Sequence, residues 1–160
     1  MDTKLAEQEV IDFVGKNAGY YYTRWTPLLE GQDWTGFNWA ACFLTGFWLA
    51  YRKMYKPALV FYGAIFLVVI IEEMGTKHGG SGKTGGSFGF IASIVCGAYG
   101  NRWYFQHATR MITKVRSKRL PDNIFRDELS KLGGTNILAP IGFFVGLVAA
   151  VLVVCFLVLS

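Results

Sequence analysis

From Ile137 to Ser160 the sequence ILAPIGFFVGLVAAVLVVCFLVLS runs for 24 residues without a charged side chain. As an α-helix this run is about 36 Å long, enough to cover a hydrocarbon core of about 30 Å. Asn136 or Thr135 can cap its start, and Pro140 falls in the first turn, where a missing N–H costs little. Any fold of this chain must bury that surface or give it to lipid. The composition points to lipid. The chain is 52% hydrophobic and 17% charged, with a mean hydropathy of +0.32. That balance is weighted toward membrane proteins.

Three more apolar segments precede it. Pro57–Ile71 and Gly86–Gly100 are short as strictly apolar runs. Tyr55 and Met74 extend the first, and Trp103, Tyr104 and Phe105 extend the second in the position of an interfacial belt. Both are read as spanning. Phe37–Ala50 has the length of a re-entrant or interfacial segment, and it is expected to dip into the membrane, with its length leaving both return and crossing open. The expected fold is all-α: a multi-pass helical membrane protein with three transmembrane helices, one short membrane-embedded helix and short amphipathic helices. The corresponding divisions are 1–36, an N-terminal amphipathic region; 37–106, a membrane domain; 107–136, a basic helical region; and 137–160, the last span. The first 36 residues hold Asp2, Glu7, Glu9, Asp12, Glu30 and Asp33 and no apolar leader, so insertion is expected to use internal segments.

The polar pieces read as helices too. TKLAEQEVIDFVGK places Ala6, Val10, Phe13, Val14 and Asn17 along one face, with Asp2 or Thr3 as cap and Gly15 as stop. The aromatic run Tyr20–Trp25 follows and is expected to end at Pro27. The third apolar helix is expected to continue as TRMITKVRSKRL until Pro121. DNIFRDELSKL then forms a short helix with Ile124, Phe125, Leu129 and Leu132 on its apolar side and Gly133 as its stop.

Lysine and arginine set the orientation. Arg52, Lys53 and Lys56 crowd one turn, and a second basic stretch runs from Arg102 to Lys131. Both are expected in the cytoplasm. The glycine-rich 72–86 loop and the C-terminus are expected on the periplasmic or external side. If Phe37–Ala50 returns rather than crosses, the N-terminal helix is also inside, the arrangement favoured here because that helix carries no translocation signal.

The loop KHGGSGKTGG, Lys77–Gly86, imitates a phosphate-binding loop at Gly82, Lys83 and Thr84. The imitation fails in context. Lys77 stands where the first glycine belongs, a membrane helix stands where the strand belongs, and no apolar strand with a lone Asp follows. It reads as a flexible connector. No nucleotide or other cofactor is expected. Cys42, Cys96 and Cys155, all in apolar runs, read as buried thiols rather than disulfides or zinc ligands. His78 and His107 fall on opposite sides of the membrane and cannot share a metal. No nucleophile has a recognisable partner, so no catalytic residue is expected. Glu72 and Glu73 read as solvated helix-end carboxylates, with one at membrane depth as the alternative. Positive-inside retention accounts for the pI near 9.2, so nucleic acid is not expected as a partner.

Small residues recur every fourth position at Gly89, Ser93 and Gly97, and again at Gly142, Gly146 and Ala150. Such stripes let helices approach closely, which suggests the third segment packing on the fourth or on a second copy. Arg52, Lys53 and Lys56 are expected to reach lipid phosphates. Tyr51 and Tyr55 are placed to flank Arg52, and Asn38 to cap its segment or bond to a neighbouring helix.

FNWAACFLTGFWLAYRKMY resembles the signature of a family of small bacterial membrane proteins, "domain of unknown function 2628". Asn38, Trp39, Ala40 and Ala41, then Trp48, then Tyr51, Arg52, Lys53, Met54 and Tyr55 carry the resemblance, with Phe13–Tyr22 and Asn101–Phe105 as further features. It implies a bacterial inner-membrane protein and transfers no activity. The expected role is non-enzymatic: a structural, regulatory or accessory component in the bilayer that binds a membrane-protein partner, a second copy or lipid. A small oligomeric channel or transporter is the alternative, with Asn38, Thr45, Ser93 and Glu72 as its polar candidates. A lipid-modifying enzyme is the third reading.

Overall fold

Every regular element in the computed structural model, which describes residues 5–77 and 84–159, is helical. Most of the Gly-rich loop, including His78, Ser81, Gly82 and Lys83, lies outside the described residues, as do Asp2, Thr3 and the side chain of Cys155.

Helix α1, Glu7–Val14, buries Val10, Phe13 and Val14 of the expected face, whereas Ala6, which takes the N-cap position expected of Asp2 or Thr3, and Asn17 are exposed. The Glu9 carboxylate accepts the Ala6 N–H at 2.9 Å and so satisfies one free amide at the helix start. Gly15, at φ +74°, ends α1 in a conformation open to glycine. A single 3-10 turn leads into α2, Ala18–Leu29. Pro27 does not stop α2 where the sequence suggested; it lies inside the helix. Near the helix end only one ladder bond is lost, and chain reversal waits for the turn at Glu30 and Gly31.

Phe37–Ala50 forms two short helices, α3 at Trp39–Leu44 and α4 at Gly46–Tyr51. They meet at Thr45, whose φ of +45° is rare for a β-branched residue. Tertiary packing holds the bend. A Cβ on Gly46 would come 2.8 Å from one Phe61 ring carbon and 3.0 Å from the Tyr62 ring, so only glycine allows this approach. Helix α5 is Tyr55–Lys77, α6 is Thr84–Arg116, α7 is Asp122–Leu132 and α8 is Leu138–Leu159. The third apolar segment and its basic continuation therefore form one helix, as expected, but it ends at Arg116 rather than running on to Pro121, because the chain turns at 117–118 and Arg119 takes a φ of +51°. Asn136 caps α8, its Oδ1 accepting the Leu138 and Ala139 N–H groups at 3.0 and 3.2 Å.

The bent pair α3–α4 packs against α5, α6 and α8. Its two ends meet α6 at nearly the same level. Asn38 N donates to the Gly97 carbonyl at 2.8 Å, and the Arg52 guanidinium lies 5.1 Å from the Tyr104 ring centre. Gly97 and Tyr104 are separated by only about 10 Å of helix. Helices α1, α2 and α7 gather around the C-terminal half of α6, where Phe13, Trp25, Tyr104, Ala108, Ile112, Val115 and Leu129 are fully covered. Arg116 grips the Glu9 carboxylate with Nε at 2.7 Å, tying the end of α6 to α1.

The helical class is as expected, but the membrane-facing parts are less uniform than the sequence suggested. By length and composition one helix among the described residues can cross a membrane, at Tyr55–Glu72 in α5; α8 carries a shorter apolar stretch, Leu138–Val154. Tyr104 is interior rather than interfacial, with no exposed area. The small-residue stripes do not pair with each other. Ser93 and Gly97 face α3, where Ser93 Oγ donates to the Cys42 carbonyl at 2.9 Å and a Gly97 Cβ would come 2.8 Å from the Cys42 Cβ. Gly89 faces open space. Gly142, Gly146 and Ala150 line an apolar groove of about 530 Å³ beside Leu59, Tyr62, Gly63 and Phe66 of α5. The bent segment takes the place on α6 that α8 was expected to fill.

Candidate functional site: a buried arginine in an aromatic cleft

Asn38, Trp39, Ala40, Trp48, Tyr51 and Arg52 of the family-like signature converge with α2 on one cleft. Arg52 follows α4 and is 3% exposed. Its guanidinium carbon lies 4.6 Å from the Tyr21 ring centre, 5.1 Å from that of Tyr104 and 5.7 Å from that of Tyr51. Its Nε has no hydrogen-bond partner, nor does the buried Tyr104 hydroxyl. Among the described residues Arg52 pairs with no carboxylate. Cation–π contacts are worth about 0.5–2 kcal/mol each. Burying a charge still costs several kcal/mol after relaxation, so the rings offset only part of that cost. Burial also pushes the Tyr21 phenol above its ordinary range, opposed in part by the Arg52 charge.

Arg52 turns inward from its turn, where three tyrosine faces surround it. Tyr55 is not among them. It stacks on Phe143 and its hydroxyl accepts from Asn136 Nδ2 at 3.1 Å. Lys53 is half-buried and donates to the Lys131 carbonyl at 2.8 Å at the C-terminal end of α7, where a cation is favoured by the helix dipole. Lys56 is exposed.

Around this cation lies a cleft of about 650 Å³ between α2 and the α3–α4 pair. Arg24, Asn17 and Tyr20 form one wall, and Asn38, Trp39 and Trp48 contribute to the other. A buried amide network sets the position of α3. Asn38 Oδ1 accepts the Ala41 N–H at 2.9 Å, and Asn38 Nδ2 donates to Asn101 Oδ1 at 2.8 Å. Asn101 Nδ2 donates to the carbonyls of Thr35 and Gly36 at 3.3 and 3.2 Å. Trp25 Nε1 donates to the Asn101 carbonyl at 3.1 Å. Asn38 therefore fills both roles read for it, as cap and as cross-helix partner. The sequence reading named Asn101 only as part of NRWYF, placed Tyr104 in an interfacial belt and gave no role to Arg24 or Tyr21. An asparagine within an otherwise apolar helical stretch was the available signal for Asn101.

His107 packs against Phe13, with ring centres 6.1 Å apart. Burial, then the neighbouring Arg110 charge, lowers its pKa. The neutral imidazole is thus favoured by folding. Its contribution to stability should be complete above about pH 6.5, the unfolded value, and decline as pH falls below it. His107→Asn should flatten that decline in thermal unfolding followed across pH.

No group of His, Cys, Asp and Glu among the described residues is arranged to hold a metal ion. Comparison with curated proteins and with solved structures finds no match. A match to the family described as "Protein of unknown function (DUF2628)" covers residues 4–110, taking in the amphipathic arm, the YRKMY turn and NRWYF. With more than half of its length matched, the chain belongs to that family.

Proposed function

We propose that this protein is a non-enzymatic, multi-pass component of the bacterial inner membrane, a structural or accessory subunit that engages lipid or a membrane partner through the α3–α4 wedge. The observation that carries this reading is the exposure of α5: only 11% of the Tyr55–Glu72 window is buried, whereas the core helix of a soluble protein is mostly covered. The uncharged α8 supports it, with Leu138, Ile141, Val145, Leu152 and Phe156 exposed. Exposed apolar surface on this scale calls for a covering phase or partner. The nearly level ends of the wedge on α6 favour re-entry over crossing, since a crossing segment needs ends about 30 Å apart. The N-terminal arm then shares the cytoplasmic side with residues 101–136, and the segment joining α5 to α6 and the C-terminus face outward. The channel reading has less support, because Asn38 and Ser93 already bond within the subunit.

Single cysteines introduced as Ser81→Cys, Ser117→Cys and Glu7→Cys test the arrangement with an impermeant thiol reagent. Ser81→Cys should label in intact cells, and the other two only after permeabilisation. External labelling of Ser117→Cys would reverse the orientation. External labelling of Glu7→Cys alone would mean that Phe37–Ala50 crosses.

A further inference from the structure

We propose that the cleft between α2 and the α3–α4 wedge is a binding site for an anionic phospholipid, with Arg24 and Arg52 holding the headgroup phosphate. The inference rests on the membrane reading above and names the ligand of its site. Arg52 supplies the first observation: a guanidinium 3% exposed, lining the cleft, with an unpartnered Nε and no carboxylate beside it. Arg24 supplies a second cation to the same cleft. Its guanidinium sits 5.5 Å from the Tyr20 ring centre and lies over Gly36, where a side chain would displace it. No acidic residue lines the cleft among the described residues. Two guanidinium groups in one partly desolvated cleft favour a tetrahedral oxyanion that accepts several charge-assisted hydrogen bonds.

The surroundings favour a lipid over a soluble phosphate. The cleft runs into the outer face of α3, where Trp39, Phe43 and Leu44 are 65%, 76% and 49% exposed. That surface suits acyl chains and is of no use to a free ion. Aromatic side chains at this level also match the interfacial position of a headgroup. A re-entrant wedge with its phosphate site where it returns toward the α6 basic stretch would fix one lipid against the fold.

The test uses the full chain in mild detergent, titrated with phosphatidylglycerol, phosphatidylcholine or inorganic phosphate and read by native mass spectrometry. Phosphatidylglycerol should bind at least about tenfold more tightly than phosphatidylcholine. Arg24→Gln should lower phosphatidylglycerol affinity about tenfold while leaving the thermal midpoint unchanged, whereas Arg110→Gln, outside the cleft, should not. Arg52→Lys should also weaken binding, because a point charge replaces the planar fork. Equal affinity for both lipids, or unchanged binding by Arg24→Gln, overturns the proposal. Arg24-dependent binding of inorganic phosphate without retention of phosphatidylglycerol overturns the lipid assignment in favour of a soluble phosphate compound. Alkaline extraction of native membranes separates the two readings. A protein washed off the membrane defeats the membrane reading, while a protein that stays but shows no anionic-lipid preference defeats the headgroup site alone.

Discussion

Asn101→Leu should destabilise the protein by about 3–5 kcal/mol, because it leaves several buried polar groups without partners at once. Asn101 is fully buried. Its side chain accepts from Asn38 and donates to the Thr35 and Gly36 carbonyls. Leucine keeps the branched shape and adds bulk, so no cavity opens and the loss is chiefly that of the amide, with some overpacking added. Each abandoned donor or acceptor costs about 1–3 kcal/mol. In detergent the unfolding midpoint should drop by about 10 °C. Asn38→Leu should also destabilise, through loss of the α3 cap at about 1 kcal/mol and of the pairing with Asn101. The double variant should fall short of the sum by about 1–3 kcal/mol, the coupling expected of direct partners. Additive effects would mean that the Asn38–Asn101 bond is not what seats α3 on α6. The cleft gives a second readout: with α3 displaced, the walls carrying Arg24 and Arg52 should separate and anionic-lipid affinity should fall with stability.

The helical elements were legible because their signals are local. Apolar runs, the Asn136 cap, Gly15, Pro121 and the periodicity of α1 each report on a few neighbouring residues. The bend at Thr45 was not legible. Nothing in FLTGF demands a left-handed threonine, and the reason lies in the Phe61 and Tyr62 rings that press on Gly46. The burial of Arg52 was not legible for a related reason. In YRKMY a basic turn after an apolar run ordinarily reaches the phosphate layer, and only the fold brings Tyr21, more than 30 positions earlier, and Tyr104, more than 50 later, over the guanidinium. The small-residue stripes marked close approach correctly in kind at Gly97, but such a stripe names no partner, and α3 won the place through the Asn38 bond to the Gly97 carbonyl. Most signals confined to one element survived, Pro27 in α2 being an exception, whereas those that depend on which elements meet mostly did not, Asn38 being the exception.

Phe13→Ala should cost about 3–5 kcal/mol, the usual range for removing a fully enclosed aromatic ring, and should loosen the N-terminal arm rather than the wedge. Phe13 has no exposed area and packs on Tyr104 and His107. Its carbonyl accepts the Gly134 N–H at 2.7 Å, so α1 is pinned to the turn between α7 and α8 by both backbone and side chain. Gly133 completes the joint. A Cβ there would overlap the Phe13 carbonyl, although the Gly133 backbone, at φ −91°, would otherwise accept alanine. Gly133→Ala should therefore destabilise by about 1–3 kcal/mol through overpacking alone. The two variants distinguish ring from backbone. Since the clash at Gly133 is chiefly with a main-chain oxygen, removing the Phe13 ring should not rescue Gly133→Ala. Hydrogen exchange should locate the damage in both variants at α1 and α7, with the amides of α3 still protected. Rescue by the double variant, or exchange spreading first through α3, would mean that the arm and the wedge unfold as one unit and that α1 is part of the seat of the cleft rather than a latch beside it.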